Sequence, residues 1–176
     1  MLPSSILKEC NQFLAESNSK PLLRALPKIG DGFRKVKVRK KNKYNDPLEQ
    51  YFDIAFLNKY REIRLRSMIV QTTAPNLTTE DKELFYVFPI NEYKILYNRQ
   101  IDSYAAYAAS LRPVVENLDS AESLLVHLFE HTYESHSLEE AIDAKAEILI
   151  YNIPYYYAIR SSLYQDYNDV LTGCIN

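Results

Sequence analysis

The sequence predicts an α/β (α+β) protein: a mixed, mostly antiparallel sheet of about five strands flanked by helices. Three observations lead to this class. One apolar run has the composition of a buried strand, several shorter strand-like runs are joined by short connections, and amphipathic stretches with capping residues alternate with them. A chain of 176 residues fits one domain, which we predict to span residues 1–176.

The strongest strand signal lies at 147–153, within the segment AEILIYNIPYYYAIR. Its middle residues are β-branched, aromatic or apolar, which is typical of a central strand covered on both faces. Pro154 should end that strand, because proline cannot donate to a ladder. Tyr155, Tyr156 and Tyr157 follow in succession, so at least one of the three rings should face solvent or a partner.

The first 30 residues are predicted to form an N-terminal helical segment. Ser4 or Ser5 can cap a helix that ends at 17–19, and the leucines at 22–26 suggest a short turn before Pro27. Gly30 and Gly32 mark the next turn. No glycine pattern of a phosphate-binding loop follows a predicted strand.

Residues 34–43 form a strongly basic strand and loop. The seven cationic residues are Arg34, Lys35, Lys37, Arg39, Lys40, Lys41 and Lys43. Val36 and Val38 alternate with two of them, which predicts a strand with one buried face. The segment would bind phosphates or an acidic neighbour, or it is an edge strand protected by lysines. The pI near 6.0 argues against nucleic acid, so a protein partner is favoured.

The middle of the chain predicts a helix, a strand and a hairpin. Asp46 and Pro47 open a helix with an apolar stripe, and 63–72 reads as a strand. The runs 84–90 and 93–97 are the best hairpin candidate. In the second half, a helix begins near residue 119, Ser137 caps a short helix, and 163–171 forms a closing helix.

The charge is distributed unevenly along the chain. Residues 1–101 carry 18 Lys and Arg against 11 Asp and Glu, a net charge of +7, and residues 102–176 carry 3 against 12, a net charge of −9. This polarity suits a nucleic-acid face or head-to-tail contacts between copies, although two solvated faces explain it as well. Two cysteines near opposite ends indicate a reducing compartment rather than a disulfide framework.

One segment could carry chemistry. The sequence HLFEH places His127 and His131 one helical turn apart with Glu130 between them, as in inverted zinc peptidases, where two histidines bind zinc and the glutamate is the general base. A third ligand would have to come from Glu139, Glu140 or Glu147, with His136 as a further candidate. The alternative is a pair of structural histidines on the polar flank of an amphipathic helix. We expect no metal, no cofactor and no catalytic residue.

Three segments are characteristic when taken together: AEILIYNIPYYYAIR with the residues up to Leu171, LFYVFPINEYKILYN, and GFRKVKVRKK. They resemble the tail tube terminator (tail completion) proteins of T-even-type contractile-tailed bacteriophages. The resemblance covers most of the chain. It implies an α/β subunit of a homohexameric ring that sits on the last ring of the tail tube, stops its polymerisation, and offers a surface to the sheath terminator and neck proteins.

The resemblance also sets the expected partners and interface residues. DNA would pass through the channel without sequence-specific binding, the virion tail would be the location after assembly in the host cytoplasm, and no membrane is involved. Fifteen tyrosines and no tryptophan suit protein interfaces. We predict a protein interface at Tyr155, Tyr156, Tyr157 and Arg160 in addition to the basic segment. A zinc peptidase and a nucleic-acid-binding accessory protein remain alternatives.

Overall fold

The structure is a computed structural model that describes residues 2–28, 30–38, 47–60, 69–70, 80–101, 103–115, 121–133 and 137–173. The helices in these ranges are Ser4–Glu9 (α1), Asn11–Glu16 (α2), Pro47–Tyr60 (α3), Tyr104–Val115 (α4), Ala121–Thr132 (α5), Leu138–Asp143 (α6) and Tyr167–Thr172 (α7). The strands are Leu23–Pro27 (β1), Phe33–Lys37 (β2), Ile69–Val70 (β3), Lys82–Pro89 (β4), Lys94–Tyr97 (β5), Ile148–Tyr151 (β6) and Tyr155–Arg160 (β7). The predicted α+β class is confirmed.

The strands form two sheets rather than the one sheet predicted. A four-stranded sheet has the order β1-β4-β7-β2, and a three-stranded sheet has the order β3-β6-β5. All pairings are antiparallel, as predicted. The prediction of about five strands missed β1, where a short turn was expected inside the N-terminal helical segment, and β7, which resumes directly after Pro154.

One long ribbon of two antiparallel segments connects the sheets. β4 pairs with β7 and β5 pairs with β6. The register is unchanged across the break. Pro89 lies opposite Tyr156, and Lys94, five residues later, lies opposite Tyr151, which is five residues before Tyr156. Each segment therefore bends at the same level and passes from the four-stranded sheet into the three-stranded one.

The hairpin predicted for β4 and β5 is wrong, since the two strands lie in different sheets. A two-residue hairpin turn usually needs glycine or asparagine in left-handed conformations. Between β4 and β5 only Glu92 has a positive φ, of 68°, and Pro89 lacks the N–H that a ladder would use. The chain therefore bends without reversing, and both strands pair with the other long segment.

The prediction of a buried central strand at 147–153 is confirmed. β6 lies between β3 and β5, and Ile148 and Ile150 pack into one apolar cluster while Leu149 packs into the other. Exposure is at most 1% for all three side chains. The strand ends before Pro154, where Asn152 adopts a positive φ of 68°.

The helices cover the sheets in two groups. On the four-stranded sheet, Phe13 of α2 meets Phe88 of β4 edge to face, with ring centroids 5.8 Å apart. The ring centroids of Tyr167 in α7 and Tyr86 in β4 are 5.0 Å apart. On the three-stranded sheet, α3 and α5 pack together, with Phe56 in the core. The stripe predicted for α3 is confirmed at its buried positions Ala55 and Phe56.

The predicted N-terminal helix is divided into α1 and α2 at Cys10, whose φ of −123° leaves the helical region. Ser137 caps α6 as predicted, since its hydroxyl accepts the Glu140 N–H at 3.4 Å. Among the described helices, none is both long enough and apolar enough to cross a membrane.

Candidate interaction surface

Within the described residues, no strand lies beside the outer edge of β2. The Val38 N–H donates to the Pro154 carbonyl at 2.9 Å, and the Arg160 N–H donates to the Gly32 carbonyl at 2.7 Å. Alternate residues of an antiparallel strand bond to the same neighbour. The even-numbered residues of this stretch therefore face β7, and the backbone N–H and C=O groups of Phe33, Lys35 and Lys37 point away from the sheet.

The side chains of these outward residues lie on the face that carries α1. Lys35 and Lys37 are exposed, and Phe33 is 39% exposed. The Phe33 ring stacks on Tyr157 at 5.6 Å with the planes 15° apart, so one face of this ring is already used within the chain. Lys37 has no ion pair within the described residues. It is the cation of β2 that remains available to a partner.

Lys35 belongs to a local network that we call the Glu9 cluster: Glu9, Lys35, Tyr155 and Tyr157. The Tyr155 and Tyr157 hydroxyls both donate to Glu9 Oε2, at 2.7 and 2.9 Å. Lys35 Nζ lies 3.5 Å from the centroid of the Tyr155 ring and 5.8 Å from that of Tyr157. The cluster ties the end of α1 to β2 and β7 and fixes the rings next to the open edge.

The electrostatics of the Glu9 cluster follow from these contacts. The hydroxyls of Tyr155 and then Tyr157 stabilise the Glu9 carboxylate and lower its pKa, and Lys35 and Lys8 add to the effect. The pKa of Lys35 is raised, first by its interaction with Tyr155. Burial and the bond to Glu9 raise the pKa of Tyr157. At neutral pH the cluster therefore pairs one carboxylate with one ammonium.

Arg34 and Arg160 occupy the opposite face of the four-stranded sheet. The Arg34 guanidinium carbon lies 4.1 Å from the centroid of the Phe85 ring, and that of Arg160 lies 6.0 Å from it. Arg160 Nε also approaches Glu83 Oε2 at 2.8 Å. Burial and the charge of Arg160 lower the pKa of Arg34. Both arginines thus hold their own fold together in addition to any role outside it.

The predicted interface residues are brought together only in part. Tyr156 and Tyr157 are 2% and 5% exposed, so both rings are core residues on opposite faces of β7. Tyr155 is half-buried and is the ring at the surface, in agreement with the expectation that at least one of the three would be. Arg39, Lys40, Lys41 and Lys43 lie outside the described residues. The interface itself stays a prediction.

The HLFEH segment lies on α5, where His127 is exposed. The side chains of Glu130 and His131, and all of His136, lie outside the described part of the chain. Among the residues that are described, no group of three His, Cys, Asp or Glu side chains could hold a metal ion. Glu139, Glu140 and Glu147 therefore form no such group with His127. The zinc site at His127 and His131 stays a hypothesis.

Comparison with protein-family models, with curated proteins and with solved structures gives no match. The β2 edge and the Glu9 cluster are therefore the structural features that bear on function, beside the resemblance of the three sequence segments to the tail tube terminators.

Two residues of this surface have no sequence signal. Glu9 ends a short helix and meets Tyr155, 146 positions later, and Phe33 directly precedes the basic run. Such long-range contacts depend on the sheet order, which short-range patterns do not determine. Tyr155 and Tyr157 lie beside Lys35 only because β7 pairs with β2. The sequence does not predict that pairing.

Proposed function

We propose that this chain is a structural virion protein, without enzymatic activity, that caps the tail tube of a contractile-tailed bacteriophage as a ring. The ring stops polymerisation of the tail tube protein and presents a surface to the sheath terminator and the neck proteins. The resemblance of AEILIYNIPYYYAIR, LFYVFPINEYKILYN and GFRKVKVRKK to the tail tube terminators is the starting point.

The observation that carries the proposal is the open, basic edge of β2. An unpaired edge offers backbone donors and acceptors to another chain, and lysines on it oppose indiscriminate pairing. The same lysines favour a partner surface that supplies carboxylates, because charge complementarity selects partners and orients them. A protein that must join copies of itself and a tube end, while remaining soluble before assembly, needs this combination.

The charge distribution is consistent with this role. The net charge of +7 over residues 1–101 and of −9 over residues 102–176 supports heterologous contacts, in which different surfaces of successive copies meet and close a ring. In the proposed ring the channel passes DNA without sequence-specific contacts. The finished protein would lie at the head-proximal end of the virion tail.

Native mass spectrometry of the purified protein at moderate salt tests the proposal. We expect a ring, with six copies as the proposed number, and no stoichiometric zinc. A chain that stays monomeric, even when tail tubes are added, would contradict the proposal. A monomer with one zinc per chain would favour the peptidase alternative, and loss of an activity on Glu130→Gln would then identify the general base.

A variant of the basic segment tests its contribution to assembly. Replacing Lys37, Arg39, Lys40 and Lys41 with serine should weaken the ring and its binding to tubes. The loss relative to the wild type should be largest at low ionic strength and shrink as salt is added, because salt screens the charge contact of the wild type. Variant rings that are as stable as wild-type rings at low salt would refute this role for the segment. Circular dichroism of the monomer serves as the folding control.

A further inference from the structure

A polar groove of about 710 Å³ runs along β5, the edge strand of the three-stranded sheet. Tyr93, Lys94 and Ile95 form its strand side together with Tyr151 of β6, and residues of α2 and of the start of α6 form its walls, among them Glu16 and Glu139. Its volume is within the range of sites that hold a ligand. The groove thus borders β5, where an added strand would have to lie.

Carboxylates outnumber cations at this groove. Glu16 accepts a short hydrogen bond from the Tyr93 hydroxyl. Glu139 lies 3.8 Å from Lys20, which also pairs with Asp143. Glu140 lies beside the groove and pairs with Arg99 at 2.7 Å. The charged residues that line the groove itself are Glu16, Glu139 and Lys94. Two carboxylates therefore face one cation, and the groove can accept a basic strand that carries no acidic residue.

The structure offers one such strand, because β2 carries Arg34, Lys35 and Lys37 and no acid. The other edge of the four-stranded sheet, β1, carries a single cation, Arg24, which lies over the Tyr156 ring of its own chain, and it ends in Pro27, which has no N–H to donate. We infer that β2 of one copy lies in the groove along β5 of a second copy, with Lys37 close to Glu139. This inference rests on the ring assembly of the proposed function.

The topology places the two surfaces on opposite sides of the subunit. In the long ribbon, β6 and β7 form one side, and β2 extends the sheet beyond β7. β4 and β5 form the other side, and among the described residues no strand lies beside the edge of β5 that faces away from β6. A contact between opposite sides propagates in one direction from copy to copy, and it closes into a ring when the rotation per copy allows.

The decisive experiment exchanges the two charges between copies. Lys37→Glu and Glu139→Lys, each made in the full chain, should raise the dissociation constant for self-association about tenfold or more, because like charges then meet at the contact. An equimolar mixture of the two variants should recover assembly. Every contact in an alternating ring then pairs a lysine with a glutamate, which restricts the recovered rings to even copy numbers. Lys82→Glu, an exposed lysine on β4, is the matched control and should assemble normally.

The outcomes separate this inference from the proposed function. If the wild-type chain assembles and neither variant is impaired, or if both are impaired and the mixture does not recover, the contact is refuted while the ring stands. If the wild-type chain never assembles, alone or on tubes, both fail.

A second variant tests the backbone pairing. Lys37→Pro removes an outward N–H at the end of an edge strand, where proline is tolerated. It should impair assembly more than Lys37→Ser, with both monomers folded. Equal assembly of the proline and serine variants would refute strand addition.

Discussion

The four-stranded and three-stranded sheets share one long ribbon, and they differ in what flanks it. Around β6 the chain supplies apolar side chains on both faces, and α3 and α5 cover one of them. Around β7 the chain supplies β2, whose burial alternates between half-buried and exposed along the strand. The chain thus encloses β6 on both faces and leaves β2 as an edge beside the buried β7. The comparison indicates that β6 contributes more to stability than β2 does, and that β2 is suited to recognition.

The largest expected difference between the two ends is in the cost of truncating a side chain. Leu149→Ala in β6, where the side chain is 1% exposed, should lower the free energy of unfolding by about 2–5 kcal/mol. Val36→Ala in β2, which is half-buried, should cost only about 1 kcal/mol. Urea denaturation of both variants measures the contrast. Similar losses at the two sites would show that the ends contribute equally to stability.

The junction between the sheets should give a smaller effect. Asn152 has a φ of 68°, and its Nδ2 donates to the Glu92 carbonyl at 2.9 Å. Asn152→Ala should lower the free energy of unfolding by about 1–2 kcal/mol, because it loses the bond and adds strain at a left-handed position. Asn152→Gly relieves that strain and should cost less. If both variants lose the same amount, the hydrogen bond alone fixes the bend.

The contrast between the ends also shows which features the sequence predicts. The run around Leu149 predicts its own burial, because uncharged apolar or aromatic residues occupy all four positions from 148 to 151. The alternation at Val36 and Val38 predicts the edge strand in the same direct way. Both signals are local, and both are confirmed.

Features that depend on long-range pairing were not predicted. Pro154 interrupts the ladder, yet β7 resumes at the next residue because β2 and β4 supply partners on both sides. The β4–β5 bend resembles a hairpin locally, and only the register with β6 and β7 excludes it. The Glu9 cluster depends on the same register. Local sequence patterns therefore give β2 and the buried β6, but they miss β1 and β7 and do not determine the order of the strands.

Glu92 provides a test of opposite sign at the same junction. Its φ of 68° places an exposed glutamate in the left-handed region. Glu92→Gly should raise the free energy of unfolding by about 0.5–1 kcal/mol, since relief of that strain exceeds the entropy lost with glycine. Thermal and urea unfolding measure the gain, and Glu92→Ala, which keeps the strain, is the control. A destabilised glycine variant would mean that the Glu92 side chain itself supports the bend.

The smallest expected effect lies at the open end, in the pH dependence of the Glu9 cluster. Hydrogen bonds from Tyr155 and Tyr157 hold the pKa of Glu9 below its ordinary value of 4.5. A carboxyl whose pKa is lowered by folding stabilises the protein above its unfolded pKa, and this stabilisation is lost as the pH falls through the folded pKa. Glu9→Gln should therefore lower the melting temperature slightly at pH 7. The difference from wild type should shrink below pH 4.5 and vanish once the pH falls below the folded pKa of Glu9.

A double-mutant cycle with Tyr155→Phe identifies the source of that pH dependence. If the Tyr155 hydroxyl is the main stabiliser of the carboxylate, Glu9→Gln should cost less in the Tyr155→Phe background than in the wild type. Additive effects of the two substitutions would assign the pH dependence to Tyr157 and Lys35 instead. In either case the α1 attachment beside β2 weakens as the pH falls through the folded pKa of Glu9. Hydrogen exchange in that pH range should show faster exchange in α1 and β2 of the wild type, and this acceleration should be absent from Glu9→Gln.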